Sequence, residues 1–145
     1  MIGNLKIARG NSTVLVLTVC AFLTSCPDDM AVWVVEGSTV TQLEFAVGRE
    51  MGDERSVKFH GMGVTSCDSG IGVTNDLWGI LATNDVDTYP SRVVYGDRPD
   101  GFELLNPPAE LVPGCYVISI LGKQSRFIVH DDGRVTANDA RSGGR

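Results

Sequence analysis

Short apolar runs, each closed by turn-forming residues, are the feature that most constrains the fold of this 145-residue chain. From residue 31 onward, β-branched and aromatic residues form these runs, and clusters of Gly, Pro, Asn and Asp separate them roughly every 8–12 residues. No window of about eleven residues in this part keeps a helical apolar periodicity. The pattern predicts an all-β protein, an antiparallel β-sandwich of about seven or eight strands. A small β-barrel is the alternative architecture.

The C-terminal third shows this pattern most clearly. Residues 116–121 and 125–129 are apolar runs joined by Gly122-Lys123-Gln124, and an Asp-Gly turn at residues 131–133 follows. Asp-Gly between apolar runs predicts a β-hairpin. In the middle of the chain, residues 57–60 predict a strand that ends at Gly61-Met62-Gly63, and residues 64–67 predict the next one.

Residues 111–116, with the sequence LVPGCY, resemble the corner before a late strand of immunoglobulin-like and fibronectin-like domains. In those domains a Tyr hydroxyl hydrogen-bonds to the backbone of the loop and pins it. The resemblance implies this role for Tyr116 and an immunoglobulin-like sandwich, without indicating a particular family.

An apolar segment at residues 14–26, VLVLTVCAFLTSC, precedes the predicted sandwich. Lys6 and Arg9 lie before it, and Pro27-Asp28-Asp29 follow it. Its apolar stretch, residues 14–23, is too short for a membrane-spanning helix, which needs about 20 residues. A basic leader, a short apolar run and an abrupt polar switch are typical of a secretory signal peptide.

The end of this segment, Leu23-Thr24-Ser25-Cys26, resembles the lipobox of bacterial lipoproteins. The resemblance implies that the Cys26 sulfur receives a diacylglycerol, that residues 1–25 are removed, and that Cys26 becomes the acylated N-terminus. Two or more acyl chains anchor a protein stably, whereas one holds it only marginally. Cleavage near Ala21, giving a soluble secreted protein, is the alternative.

Export determines how the other cysteines are interpreted. Of the four, Cys20 leaves with the signal and Cys26 carries lipid, so Cys67 and Cys115 remain. Two such cysteines in an exported chain predict one disulfide. It would close a loop of about 49 residues and contribute roughly 4 kcal/mol in the chain-entropy model. Free thiols are the alternative, and no paired-Cys spacing indicates zinc.

The charge of the chain disfavours two classes of partner. Removal of residues 1–25 takes Lys6 and Arg9 away and changes the formal net charge from −6 to −8. No basic patch with interleaved aromatic residues occurs, so nucleic-acid binding is disfavoured. Electrostatic attachment to anionic lipid is disfavoured for the same reason.

One group of residues could carry hydrolytic chemistry, namely His60, Asp68 and Ser69. The segment Cys67-Asp68-Ser69-Gly70 departs from the Gly-Asp-Ser-Gly-Gly of trypsin-like enzymes, whose two barrels also need a longer chain. A triad requires its members within hydrogen-bond reach, which the sequence does not indicate. The residue types of this segment are typical of a turn, and no catalytic residue is predicted.

Two pairs of aspartates and three residues with soft ligand atoms are the candidates for a metal site. Asp85 with Asp87, and Asp131 with Asp132, could offer carboxylates to Ca²⁺, but such a site needs six to eight oxygens. Soft copper ligands occur in exported β-sandwiches. A blue-copper site also needs a free Cys ligand, and the expected disulfide would leave none. The residues considered for copper are His60, Met62 and His130. No metal and no cofactor are therefore predicted.

Five aromatic residues could line a ligand groove but are predicted to form the core: Trp33, Phe45, Phe59, Trp78 and Phe127.

The sequence thus predicts a signal peptide at 1–25, a lipidated tether at 26–30, a β-sandwich at 31–137 and a disordered tail at 138–145. It predicts a lipid-anchored protein of the bacterial cell envelope, in either the inner or the outer membrane. The expected role is non-enzymatic, either structural or binding, with an envelope protein or a glycan as the kind of partner. A small anchored hydrolase or an envelope metal-binding protein is the alternative.

Overall fold

The computed structural model describes residues 30–69, 76–120 and 122–138. The predicted signal peptide, the predicted lipidation site Cys26 and, beyond residue 138, the predicted disordered tail lie outside these residues. Asn138 itself donates its backbone N–H to Arg126 O at 2.8 Å. The part of the chain that the structure describes contains no helix that could span a bilayer.

All regular secondary structure among the described residues is β, arranged as a sandwich of two antiparallel sheets. This confirms the predicted all-β antiparallel sandwich, and the described residues contain nine strands where seven or eight were expected. The strands are β1 (Ala31–Val34), β2 (Glu44–Gly48), β3 (Gly61–Ser66), β4 (Trp78–Ala82), β5 (Arg92–Val94), β6 (Phe102–Asn106), β7 (Gly114–Ile120), β8 (Lys123–Val129) and β9 (Val135–Ala137). The smaller sheet has the order β1-β2-β5, and the larger has the order β6-β4-β3-β7-β8-β9.

The core lies between the two sheets and is built by alternation along the strands. Phe45 of β2 stacks on Trp78 of β4 with ring centroids 6.3 Å apart, and it also contacts Phe127 of β8 at 5.7 Å. Four of the five aromatic residues predicted as core are fully buried: Phe45, Phe59, Trp78 and Phe127. Trp33 is only partly buried, because it pairs with Ala46 on the outer face of the smaller sheet.

Strand β3 begins later than the sequence predicts. Residues 57–60 are irregular, and the strand instead includes the glycines that were expected to end it. A Cβ on Gly63 would lie 2.7 Å from Asp76 Oδ2, and one on Gly61 would lie 3.2 Å from Ile80 O. Close approach of other groups therefore explains glycine inside this strand. Phe59 is buried all the same, with its ring against Tyr89 and Phe102.

Two backbone hydrogen bonds join the sheets at one end of the sandwich. Val40 N–H donates to Gly133 O at 2.8 Å, and Val135 N–H donates to Ser38 O at 3.1 Å, which places the β1–β2 connection beside the β8–β9 turn. We call this the disulfide end, because β3 ends and β7 begins there, at Cys67 and Cys115. The opposite end holds the start of β1, the connection after β2 and the β7–β8 turn. We call it the proximal end.

Candidate functional site

The disulfide end is fixed first by a covalent bond. Cys67, directly after β3, is bonded to Cys115 in β7, with the two Cα atoms 5.4 Å apart. The predicted pairing is confirmed. Cys67 N–H also donates to Cys115 O at 3.0 Å. Both sulfurs are consumed by this bond, so neither is free to act as a nucleophile or a metal ligand.

Tyrosine hydroxyls fix the connection between β6 and β7 at the same end. The Tyr116 hydroxyl donates to Val112 O at 2.6 Å, as the resemblance to immunoglobulin-like corners implied. The Tyr95 hydroxyl lies 2.7 Å from Ala109 O and 3.3 Å from Leu77 O. Burial raises the pKa of Tyr95 to about 12. No sequence motif marks Tyr95, because its partners are distant in the chain.

The residues considered for hydrolysis are not brought together. His60 lies just before β3 and Ser69 lies just after it, so the six residues of that strand separate them by about 20 Å. Asp68 N–H donates to Ser66 Oγ at 3.3 Å, and Ser69 N–H donates to Ser66 O at 3.2 Å. Asp68 and Ser69 therefore belong to a turn that Ser66 stabilises.

The soft ligands considered for copper are equally dispersed. His60 is at the proximal end, whereas His130 is at the disulfide end, with Nε2 2.8 Å from Thr136 Oγ1. Met62 is buried in the core between them. Within residues 30–69, 76–120 and 122–138, no group of three or more His, Cys, Asp or Glu side chains is placed to hold a metal ion.

The paired aspartates considered for Ca²⁺ lie in turns. Asp85 N–H donates to Thr83 Oγ1 at 3.2 Å. Asp132 accepts from the backbone N–H of Arg134 at 3.0 Å and from its Nε at 2.8 Å. These bonds, the backbone one first, lower the pKa of Asp132. A carboxylate already satisfied in this way has fewer oxygens to offer a cation.

Asp76 is a feature that the sequence did not indicate. Gly63 of β3 and Gly79 of β4 pair directly, and their Cα atoms face away from the core. The Asp76 carboxylate lies over this pair, since Cβ atoms built on the two glycines would be 2.7 and 3.3 Å from its Oδ2. Burial raises the pKa of Asp76. One partly buried carboxylate does not by itself form an acid–base pair, so its clearest role is packing.

An ion-pair network holds the connection after β2 at the proximal end. Arg92 Nε lies 2.8 Å from Glu54 Oε1, and an Arg92 amino nitrogen lies 3.4 Å from Glu44 Oε2. Ser91 Oγ donates to the same Glu54 oxygen at 3.2 Å. The hydrogen bond from Arg92 is the main cause that lowers the pKa of Glu54. Exposed pairs of this kind add little stability, but they orient the segment.

The same connection forms a shallow polar depression of about 320 Å³. It is lined by Arg49, Glu50, Asp53 and Arg55. Arg55 and Asp53 pair at 2.6 Å, so two of its four charges neutralise each other.

Three exposed leucines lie on β4 and β6, at the edge of the larger sheet. They are Leu81, Leu104 and Leu105. A bulge interrupts the pairing at Gly79 and Ile80, and Pro107 and Pro108 follow β6 directly. Bulges and prolines blunt a sheet edge against further strand pairing.

No protein-family model, curated protein or solved structure matches this chain. What it does must therefore be inferred from its own residues.

Proposed function

We propose that this protein is a lipid-anchored component of the bacterial cell envelope, held by Cys26, whose β-sandwich acts by binding or as a structural module. Catalysis is not part of the proposal. Its partners would be envelope proteins or glycans, met by a surface that the sandwich holds rigid.

The Cys67–Cys115 disulfide is the observation that carries the proposal. Disulfides form and persist in oxidising compartments and are rare where thiols are kept reduced. A stable bond of this kind is what an exported domain needs, and it agrees with the signal-like segment at residues 14–26. The lipobox-like motif then supports retention at a membrane in preference to release.

The arrangement of the polar side chains supports a non-enzymatic role. His60 and Ser69 lie beyond opposite ends of β3, and the aspartates considered for metal binding take part in turns. The disulfide and the Tyr95 and Tyr116 hydroxyls instead fix backbone segments at one end. A surface that is rigid in this way loses little conformational entropy on binding.

Metabolic labelling with radioactive palmitate tests the anchor in a bacterial host that processes lipoproteins. The wild-type chain should incorporate label and fractionate with membranes, and Cys26→Ser should do neither. Cys20→Ser is the matched control, because it changes another cysteine of the same apolar segment and should keep both properties. Label retained by Cys26→Ser would contradict the proposal.

Substitution of the residues considered for hydrolysis tests the role. Once a deletion phenotype is known, His60→Ala and Ser69→Ala should both complement it, whereas Cys26→Ser should fail because the protein is mislocalised. The reverse ranking would indicate an anchored hydrolase.

A further inference from the structure

We infer that the turn at residues 49–53 contacts the phospholipid surface of the membrane that holds Cys26, with the Met51 side chain at the lipid interface. The inference rests on the proposed function, and it adds which part of the domain meets the lipid. Three observations carry it: the position of the turn, the length of the tether and the distribution of charge.

The turn lies beside the first residue of the sandwich and extends beyond it. Ala31 of β1 pairs with Gly48 of β2, and Gly48 also pairs with Glu54 as the chain returns. The residues between form a tight turn closed by Asp53 N–H donating to Glu50 O at 3.1 Å. Met51 and Gly52 are its two central residues, and Gly52 has a φ of 88°. Met51 is therefore at the tip of a projection past the start of β1.

The tether is shorter than the sandwich. Five residue steps separate Cys26 from Ala31, so even a fully extended chain spans at most about 18 Å. The seven residues of β7 run the length of the larger sheet, about 23 Å. Lipid on Cys26 would thus bring the proximal end to the bilayer more readily than the disulfide end, and the 49–53 turn projects from the proximal end.

The side chains at the two ends fit this orientation. Met51 is 54% exposed, and a flexible thioether side chain at a turn tip can enter the interfacial region. Acidic and basic residues are nearly balanced around it. The basic ones are Arg49, Arg55, Lys58, Arg92 and Lys123. The disulfide end includes Arg134, which pairs with Asp132, but most of its charged side chains are carboxylates, which anionic lipid would repel. They are Glu36, Asp68, Asp76, Glu110, Asp131 and Asp132.

Site-specific photocrosslinking to phospholipid tests the contact in cells. Benzoylphenylalanine replaces Met51 in the full-length chain, and in a matched control it replaces Val112, which is 60% exposed at the disulfide end. The host carries phospholipid with radiolabelled acyl chains. Because the tether holds the 49–53 turn near the acyl chains and keeps position 112 about a sandwich length away, the effective lipid concentration differs between them, and the crosslink yield at position 51 should exceed that at position 112 by about tenfold or more.

The outcomes separate this inference from the proposed function. Equal yields at the two positions, or a higher yield at position 112, in a protein whose Cys26 is shown by mass spectrometry to be acylated, would overturn the inference alone. A Cys26 without acyl chains would overturn the proposed function. Cys26→Ser should abolish crosslinking at position 51, and crosslinking that persists in this variant would contradict the tether argument.

Discussion

Tyr116 makes a single side-chain hydrogen bond that holds the connection before β7, and this bond can be removed without disturbing the ring. Its hydroxyl donates to Val112 O, while the ring packs on Phe127. Tyr116→Phe should therefore lower the free energy of unfolding by about 0.5–1.5 kcal/mol, the usual contribution of one hydrogen bond. Urea denaturation followed by fluorescence measures the change.

Tyr89→Phe is the matched control for this substitution. The Tyr89 ring packs on Phe59 and Phe102, and its hydroxyl has no hydrogen-bond partner among the described residues. Its removal should leave the urea midpoint almost unchanged. Equal losses in the two variants would show that the hydroxyl of Tyr116 does not pin the corner.

Tyr95 predicts a dependence of stability on alkaline pH. Burial raises its pKa from 10.0 to about 12 in the folded protein. Between these values the unfolded chain has released the phenol proton and the folded protein has kept it. The stability that Tyr95 contributes is therefore complete below pH 10 and is lost as the pH rises through about 12. Titration of phenolate absorbance should show a late-ionising tyrosine, and Tyr95→Phe should remove it. A late component that persists in this variant would contradict the assignment.

At the scale of residues, the sequence predicted what local patterns or elimination can determine. Tyr116 stands in a recognisable corner motif, and Cys67 and Cys115 remain once export assigns the other two cysteines. Asp76 and Tyr95 were missed for a common reason. Their partners, such as Gly63 and Ala109, come from other strands and connections, so only the folded backbone brings them together.

At the scale of elements, Gly48 allows the turn after β2 to fold back tightly. A Cβ on Gly48 would overlap the backbone carbonyl of Asp53. Gly48→Ala should therefore displace the 49–53 turn and lower the free energy of unfolding by about 1–3 kcal/mol, as overpacking usually does. Arg49→Ala, at the exposed neighbouring position, should change it by no more than about 0.5 kcal/mol. Urea denaturation compares the two variants, and an unaffected Gly48→Ala would show that the turn can move at little cost.

The boundaries of β3 show why some elements could not be predicted from the sequence. Glycine normally weakens a strand, so Gly61 and Gly63 indicated a break. In the structure these positions face Ile80 O and Asp76, and the absence of a side chain is what allows the contact. The alternation of apolar and polar residues at 57–60 indicated a strand, but Phe59 is buried by its aromatic neighbours outside any strand.

At the scale of the molecule, the sandwich itself was predictable because turn spacing and alternation are local properties of the chain. The order of strands was not. β6 is an edge strand of the larger sheet, whereas β7 lies in its middle. The connection between them therefore passes the ends of β4 and β3. Tyr95 and the Ala109 N–H, which donates to Leu77 O at 2.8 Å, secure this crossing.

The Cys67–Cys115 bond closes a loop that contains β4, β5 and β6, with a sequence separation of 48 residues. This loop includes strands of both sheets, and its closure restricts the conformations of the unfolded chain. Loss of the bond should therefore lower the free energy of unfolding by about 2–4 kcal/mol. The double variant Cys67→Ser with Cys115→Ser should show this loss in urea denaturation. Reduction of the wild-type protein should reproduce it, whereas a reductant should leave the double variant unchanged. If the urea midpoint of the wild-type protein does not respond to reduction, β3 and β7 are held by their hydrogen bonds alone. The argument from this disulfide to an oxidising compartment would then lose its physical basis.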